Sequence, residues 1–194
     1  MYQGMASAVP QVNSRRVRLQ PLPVAIPIRH SDPNAVVAGA RTFFVTSSTW
    51  GKLHTLQSDR SAGLFISVLY EYRAQNKFRL HEFVVMPDHF HLLLTVAQGM
   101  TVERAVQFVK GGFAFRAGRE IGARAPFWQK GFSEVRILDA RAFQQIAGYI
   151  RNNPVEAGLV GEPGGFAYSS AHLGFELDPA PSWMRISREG VRSA

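Results

Sequence analysis

The spacing of apolar residues changes several times along this chain of 194 residues, and each change marks an element. Thr42-Phe43-Phe44-Val45-Thr46 is β-branched and aromatic, which predicts a strand. Ser58 or Asp59 can cap a helix carried by Leu64, Phe65, Val68, Leu69 and Tyr72, with Asn76 or Lys77 ending it. Phe78 to Met86 reads as a second strand, Pro87-Asp88 as a tight turn, and His89 to Val96 as a third strand antiparallel to the second. Thr101 caps a second helix whose stripe is Val102, Val106, Val109 and Phe113. Gly111-Gly112 inside it predicts a kink or a close backbone approach. Gly131 to Leu138 predicts a fourth strand. Asp139 caps a last helix with Phe143, Ile146, Ala147 and Ile150 inward, closed by Pro154 and Gly158.

The order β-α-β-β-α-β-α predicts an α+β fold. Its first six elements form a split βαβ, ferredoxin- or RRM-like palm: a four-stranded antiparallel sheet with helices on one face, followed by a C-terminal helix. One domain over residues 41–173 follows. Residues 1–40 carry Pro10, Pro21, Pro23, Pro27 and Pro33 with Arg15, Arg16, Arg18 and Arg29, and read as a flexible basic arm. Residues 174–194 are weakly patterned and read as a C-terminal tail.

Composition narrows the chemistry. Cysteine is absent, which excludes disulfides, thiolate metal sites and cysteine nucleophiles, so any metal falls to His, carboxylate, amide or water. No apolar run reaches the ~18 residues of a membrane helix, and the expected location is the cytoplasm. The net charge is +8, and 18 of the 22 basic residues are Arg, whose planar fork matches phosphate oxygens. That bias makes nucleic acid a candidate partner, although a GC-rich genome inflates Arg equally well.

Three constellations carry possible chemistry. His89 and His91 sit at i and i+2 of a strand, so both imidazoles leave one face, about 7 Å apart along the backbone, while Phe90, Leu92, Leu94 and Val96 face the helices. They could converge on one ion or simply line a solvated face. Tyr149 and Asn153 sit at i and i+4 of one helix face, with Tyr149 about 60° around from Ile146, at the edge of the core. Asn153 precedes Pro154, which predicts a helix terminus with the amide free to turn; from the spacing alone, a core-edge Tyr and a capping Asn are the plainer reading of the pair. Lastly, Arg104, Lys110, Arg116, Arg119, Arg124, Lys130 and Arg136 outnumber the acids in their stretch and alternate with Phe113, Phe115, Phe127, Trp128 and Phe132. Basic residues neutralise phosphates and aromatics stack on bases, unless the aromatics are core.

Val84-Val85-Met86-Pro87-Asp88-His89-Phe90-His91-Leu92-Leu93-Leu94 resembles the HUH segment of the IS200-like single-tyrosine transposases, and Tyr149 through Val160 resembles their nucleophile helix. The resemblance is greatest to the REP-associated branch, in which Asn-Pro follows the tyrosine. Phe127-Trp128-Gln129-Lys130-Gly131-Phe132 and Tyr168-Ser169-Ser170 resemble further segments, and the likeness runs from about Thr42 to Leu173. It implies a metal-dependent single-stranded DNA endonuclease and strand transferase, with Tyr149 as nucleophile and His89, His91 and Asn153 as ligands of Mg²⁺ or Mn²⁺. Arg104, Lys110, Arg116, Lys130 and Arg136 are the expected DNA contacts. The partner is single-stranded, hairpin-bearing DNA, in a bacterial cytoplasm at the nucleoid, bound by a monomer or homodimer. A hairpin-binding protein of the same fold without cleavage is the alternative, and a hydrolase using the two histidines and water is a third reading.

Overall fold

The computed structural model describes residues 40–184. The arm expected over residues 1–40 lies outside them, Ala40 aside. Four strands form one sheet: β1 (Arg41–Ser48), β2 (Phe78–Met86), β3 (His89–Val96) and β4 (Ser133–Ile137), in the order β2-β3-β1-β4 with every pairing antiparallel. Three helices cover it: α1 (Asp59–Ala74), α2 (Val102–Glu120) and α3 (Ala140–Glu156). This is the expected split βαβ palm with its additional helix.

Capping residues act as the sequence indicates. Ser58, Thr101 and Asp139 each accept a backbone N–H of the first helical turn, and Asn76 leaves α1 through a left-handed φ of 55°. Pro87 and Asp88 make the two-residue turn between paired Met86 and His89. Within α2 the close approach falls at Gly112, where a Cβ would meet the Tyr72 ring of α1 at 2.7 Å.

Strand alternation divides the interior into two layers. Phe43, Val45, Leu80, Phe83, Val85, Phe90, Leu92, Leu94 and Val96 face α1 and α2, where Phe65, Val109 and Phe113 complete the larger core. On the other face Phe44, Val84, Met86, Leu93 and Ile137 meet Phe143, Ile146, Ala147 and Ile150 of α3. A bulge between Leu80 and Glu82 sends both His81 and Glu82 to the α3 side. There Glu82 receives Arg151 of α3 at 3.2 Å and the Ser170 hydroxyl at 2.6 Å, while burial raises the pKa of its carboxyl.

Two boundaries differ from expectation. β4 begins at Ser133, because Gly131 turns the chain at φ 76°. Pro154 does not close α3: the helix continues to Glu156, with Ala157 N–H donating to Asn153 O and Leu159 N–H to Pro154 O, and Gly158 turns the chain at φ 69°. The buried faces of Asn153 and Pro154 hold that turn against the sheet despite the lost donor.

The expected tail is packed as far as Met184. Residues 168–170 bond to Val85 and Phe83 along the open edge of β2, Asp178 N–H donates to Leu80 O, and Met184 is buried in the α3 layer. This covers an edge that would otherwise pair with a foreign strand. Asp178 is the clamp: its carboxylate accepts Arg73 Nε at 2.7 Å and Leu80 N–H at 2.8 Å. Burial pushes its carboxyl up, but these donors prevail and hold its pKa below the ordinary value. Its contribution is therefore present above the unfolded carboxyl pKa of ~3.9 and is lost as pH falls through the lower folded value. Asp178→Ala is expected to cost about 1–3 kcal/mol near pH 7 and proportionally less in acid, read from thermal melts across that range.

Among the described residues no helix is long and apolar enough to cross a membrane.

Candidate active site

The α3 face of the sheet carries the two histidines. β1 and β3 pair so that Ser48 stands opposite His89 and Thr46 opposite His91. His91 is 1% exposed, stacked on Phe44 at 5.3 Å between ring centres, with the His89 ring 4.8 Å away. Each imidazole is held through Nδ1: His91 by the Thr46 hydroxyl at 2.7 Å, His89 by the Asp88 carboxylate at 2.5 Å. Both Nε2 atoms are buried with no hydrogen-bond partner. Burial, helped by the charges of His89 and Lys52, pushes the His91 pKa well below its ordinary value, so its ring is neutral near pH 7.

Helix α3 brings Tyr149 over this strand. Its ring lies 5.4 Å from His91 and 5.9 Å from Phe44, both edge to face. Burial is the largest influence on the phenol and raises its pKa; the charge of Glu156 adds to that, and a side-chain hydrogen bond with Asn153 opposes it. Asn153 was expected at a free helix end. It is inside α3 instead, 7% exposed, one turn after the tyrosine. Four of the expected residues, His89, His91, Tyr149 and Asn153, therefore gather on one side of the sheet.

Whether this set suits a divalent ion is decided by its unpaired atoms. Two buried imidazole nitrogens without partners, on adjacent rings whose other nitrogens are held, are donors that a divalent metal ion can take, and the oxygen ligands that Mg²⁺ or Mn²⁺ favour would then come from amide, water or substrate. Among the described residues no group of three or more His, Cys, Asp or Glu is placed to hold an ion.

The basic residues do not gather there. Arg104, Lys110 and Arg116 belong to α2, on the opposite face of the sheet. The Lys110 ammonium donates to the carbonyls of Gln129 and Gly131, and its pKa is lowered by burial. Arg116 grips Glu120, Glu71 and Ser67, joining α1 to α2. Arg104 lies over the Phe108 ring. Lys130 and Arg136 are exposed, on the loop before β4 and on β4 itself. Neutralising Lys130 or Arg136 is therefore expected to reduce the log–log salt slope of DNA binding by about 0.7–0.9 each. Lys110→Ala should mainly lower the melting temperature.

Sequence reading assigned no chemistry to Thr46 or Lys52, and gave Asp88 only a place in the turn. Asp88 could have been suspected from its position beside His89. Thr46 could not, since its role depends on strand register.

Two histidines of one strand facing a helix tyrosine form the HUH-type, single-tyrosine arrangement. The family model described as "Transposase IS200 like" matches residues 54–153, and the chain belongs to that family. It is 30% identical over 98 residues to an uncharacterised protein of Haemophilus influenzae, covering 40% of this chain and 54% of that protein. The chain thus spans about half the length of the curated relative it matches. A REP-associated tyrosine transposase solved bound to a REP hairpin shares the fold, with a TM-score of 0.60 and 18% identity over 81% of this chain and 99% of the other.

Proposed function

We propose that this protein is a metal-dependent single-stranded DNA endonuclease and strand transferase that acts on hairpin-bearing DNA through Tyr149. The observation that carries the reading is the juxtaposition of the Tyr149 ring with His91, beside two unpaired imidazole nitrogens. His89 and His91, with Asn153, would hold Mg²⁺ or Mn²⁺. Such an ion, when bound, neutralises charge on a phosphate oxygen and orients the scissile bond.

The chain's residues supply the rest. Asp88 accepts from His89 Nδ1 and so leaves the His89 Nε2 lone pair free, while Thr46 orients the His91 ring, whose Nε2 carries the lone pair when Nδ1 donates to the hydroxyl. Phe44 and His91 confine the Tyr149 ring. The Tyr149 oxygen attacks phosphorus in line, the bond from phosphorus to the 3′ oxygen breaks, and that oxygen leaves as a hydroxyl with the phenol's proton balanced through solvent. The product is a 5′-phosphotyrosine, and attack by a second 3′-hydroxyl reverses the step without ATP. One tyrosine per site gives one cleavage, so paired cleavages require a second copy of the chain or a second turnover. Lys130 and Arg136, with Arg104, are the proposed phosphate contacts. Location at a bacterial nucleoid follows from this reading.

The test is incubation with labelled, hairpin-bearing single strands and Mg²⁺ or Mn²⁺, followed by denaturing electrophoresis. A metal-dependent covalent product linked at the 5′ side is expected. Binding without any adduct would overturn nuclease activity and leave the hairpin-binding alternative.

A further inference from the structure

Beyond β1 the chain is fastened tightly yet holds large side chains in water. Thr49 N–H donates to Asp88 O at 2.9 Å, its hydroxyl reaches Leu53 O and Asp88 O, Trp50 N–H donates to Phe127 O, and Leu56 N–H to Pro87 O. These bonds hold residues 49–56 against the turn that leads into His89. Thr49 is fully buried, but Trp50 beside it is 50% exposed and Leu53 is 59% exposed. Gly51 and Lys52 both adopt a φ of 58°. For lysine that left-handed conformation is uncommon, and it persists here because its surroundings fix it, a pattern concentrated at functional sites.

The cation of this loop has a defined place. Lys52 Nζ lies 3.6 Å from Asp88, the same carboxylate that holds His89, and the lysine side chain is half exposed. Its charge, together with that of His54, acts on Asp88. Unlike Lys110 and Arg116, which are tied up by contacts on the α1/α2 side, Lys52 stands next to the histidine strand with room for another anion.

From these observations we infer that Trp50 to His54 form a subsite for unpaired nucleotides next to the scissile phosphate. A base stacks on the Trp50 indole with Leu53 as its apolar rim, and an adjacent phosphate pairs with Lys52. The inference rests on the proposed function and adds to it a determinant of strand selection. An indole recognises the flat face of a base, and duplex DNA keeps those faces stacked on one another. A fixed backbone presents the indole without an ordering cost at binding. The subsite therefore favours single strands over duplex and reads stacking more than sequence.

The test uses the full chain carrying Tyr149→Phe, in EDTA, so that binding is measured without cleavage or metal. Anisotropy of a labelled oligothymidylate and of a labelled duplex is followed at several salt concentrations. Trp50→Ala is expected to weaken oligothymidylate binding by about 5-fold or more and leave the duplex unchanged, with Trp50→Phe restoring most of the loss. Lys52→Gln should reduce the magnitude of the salt slope for the oligothymidylate by about 0.7. A Trp50→Ala protein that binds the single strand as tightly as its parent overturns the subsite and leaves the proposed function standing. So does an effect of Trp50→Ala on self-association alone, as for a protein-contact patch. A folded parent that binds neither oligothymidylate nor a hairpin-bearing single strand overturns the proposed function and the subsite with it.

Discussion

Replacing Tyr149 by Phe is expected to abolish the covalent protein–DNA product while leaving the protein folded and able to bind DNA. The ring is kept, and with it the edge-to-face contacts to Phe44 at 5.9 Å and His91 at 5.4 Å. What is lost is the hydroxyl alone. Removing one hydroxyl while the ring stays in place costs about 1 kcal/mol at most, a small part of a domain's stability. Removing the oxygen proposed as nucleophile should lower the rate on the order of 10⁴-fold or more. The measurement pairs a melting curve with adduct yield on a labelled hairpin-bearing strand. A Tyr149→Phe protein that still forms a 5′-linked adduct would refute the assignment of the nucleophile.

The same residues show why the site was partly legible in the sequence. His89 and His91 were readable because strand alternation is a local rule: two residues two apart leave the same face whatever the strand pairs with. That Tyr149 and Asn153 share a face was readable because helical spacing is equally local, whereas their roles came only from the resemblance of Tyr149 through Val160 to a nucleophile helix. Thr46 was not readable, since its contact with His91 exists only because β1 and β3 pair in one particular register. Lys52 has the same limitation, since its approach to Asp88 needs the fastened loop after β1.

Errors came where tertiary packing overrode a local preference. Pro154 is a helix breaker by propensity, but it lies four residues after Ile150 and beside Asn153 on a face that the sheet buries. The basic residues from Arg104 to Arg136 were grouped as DNA contacts because they are close in sequence. In space they divide between α2, the following loop and the far edge strand, and two of the cations are engaged within the protein. The C-terminal segment lacks periodicity because it runs as irregular chain along an edge, where single anchors such as Asp178 and Met184 do the holding.

The two histidines are expected to fail in different ways. Either His89→Ala or His91→Ala removes one of the two unpaired Nε2 atoms, and either should weaken Mn²⁺ binding by about 100-fold or more, beyond the loss usual for an outer-shell partner. The consequences for the fold differ. His91 is 1% exposed, stacked on Phe44 and bonded to Thr46, so its truncation opens a cavity and strands a hydroxyl. A cost of about 2–4 kcal/mol follows. The His89 side chain is 14% exposed and its Nδ1 partner, Asp88, keeps the Lys52 contact, so about 1 kcal/mol is expected there. Excess Mn²⁺ should therefore restore part of the adduct yield to His89→Ala, whose remaining site is still well formed, and less to His91→Ala. Titration of Mn²⁺ by electron paramagnetic resonance, beside melting curves of both variants, separates lost ligation from lost packing. Equal Mn²⁺ affinity in the wild-type protein and both variants would mean that the imidazole pair does not hold the ion.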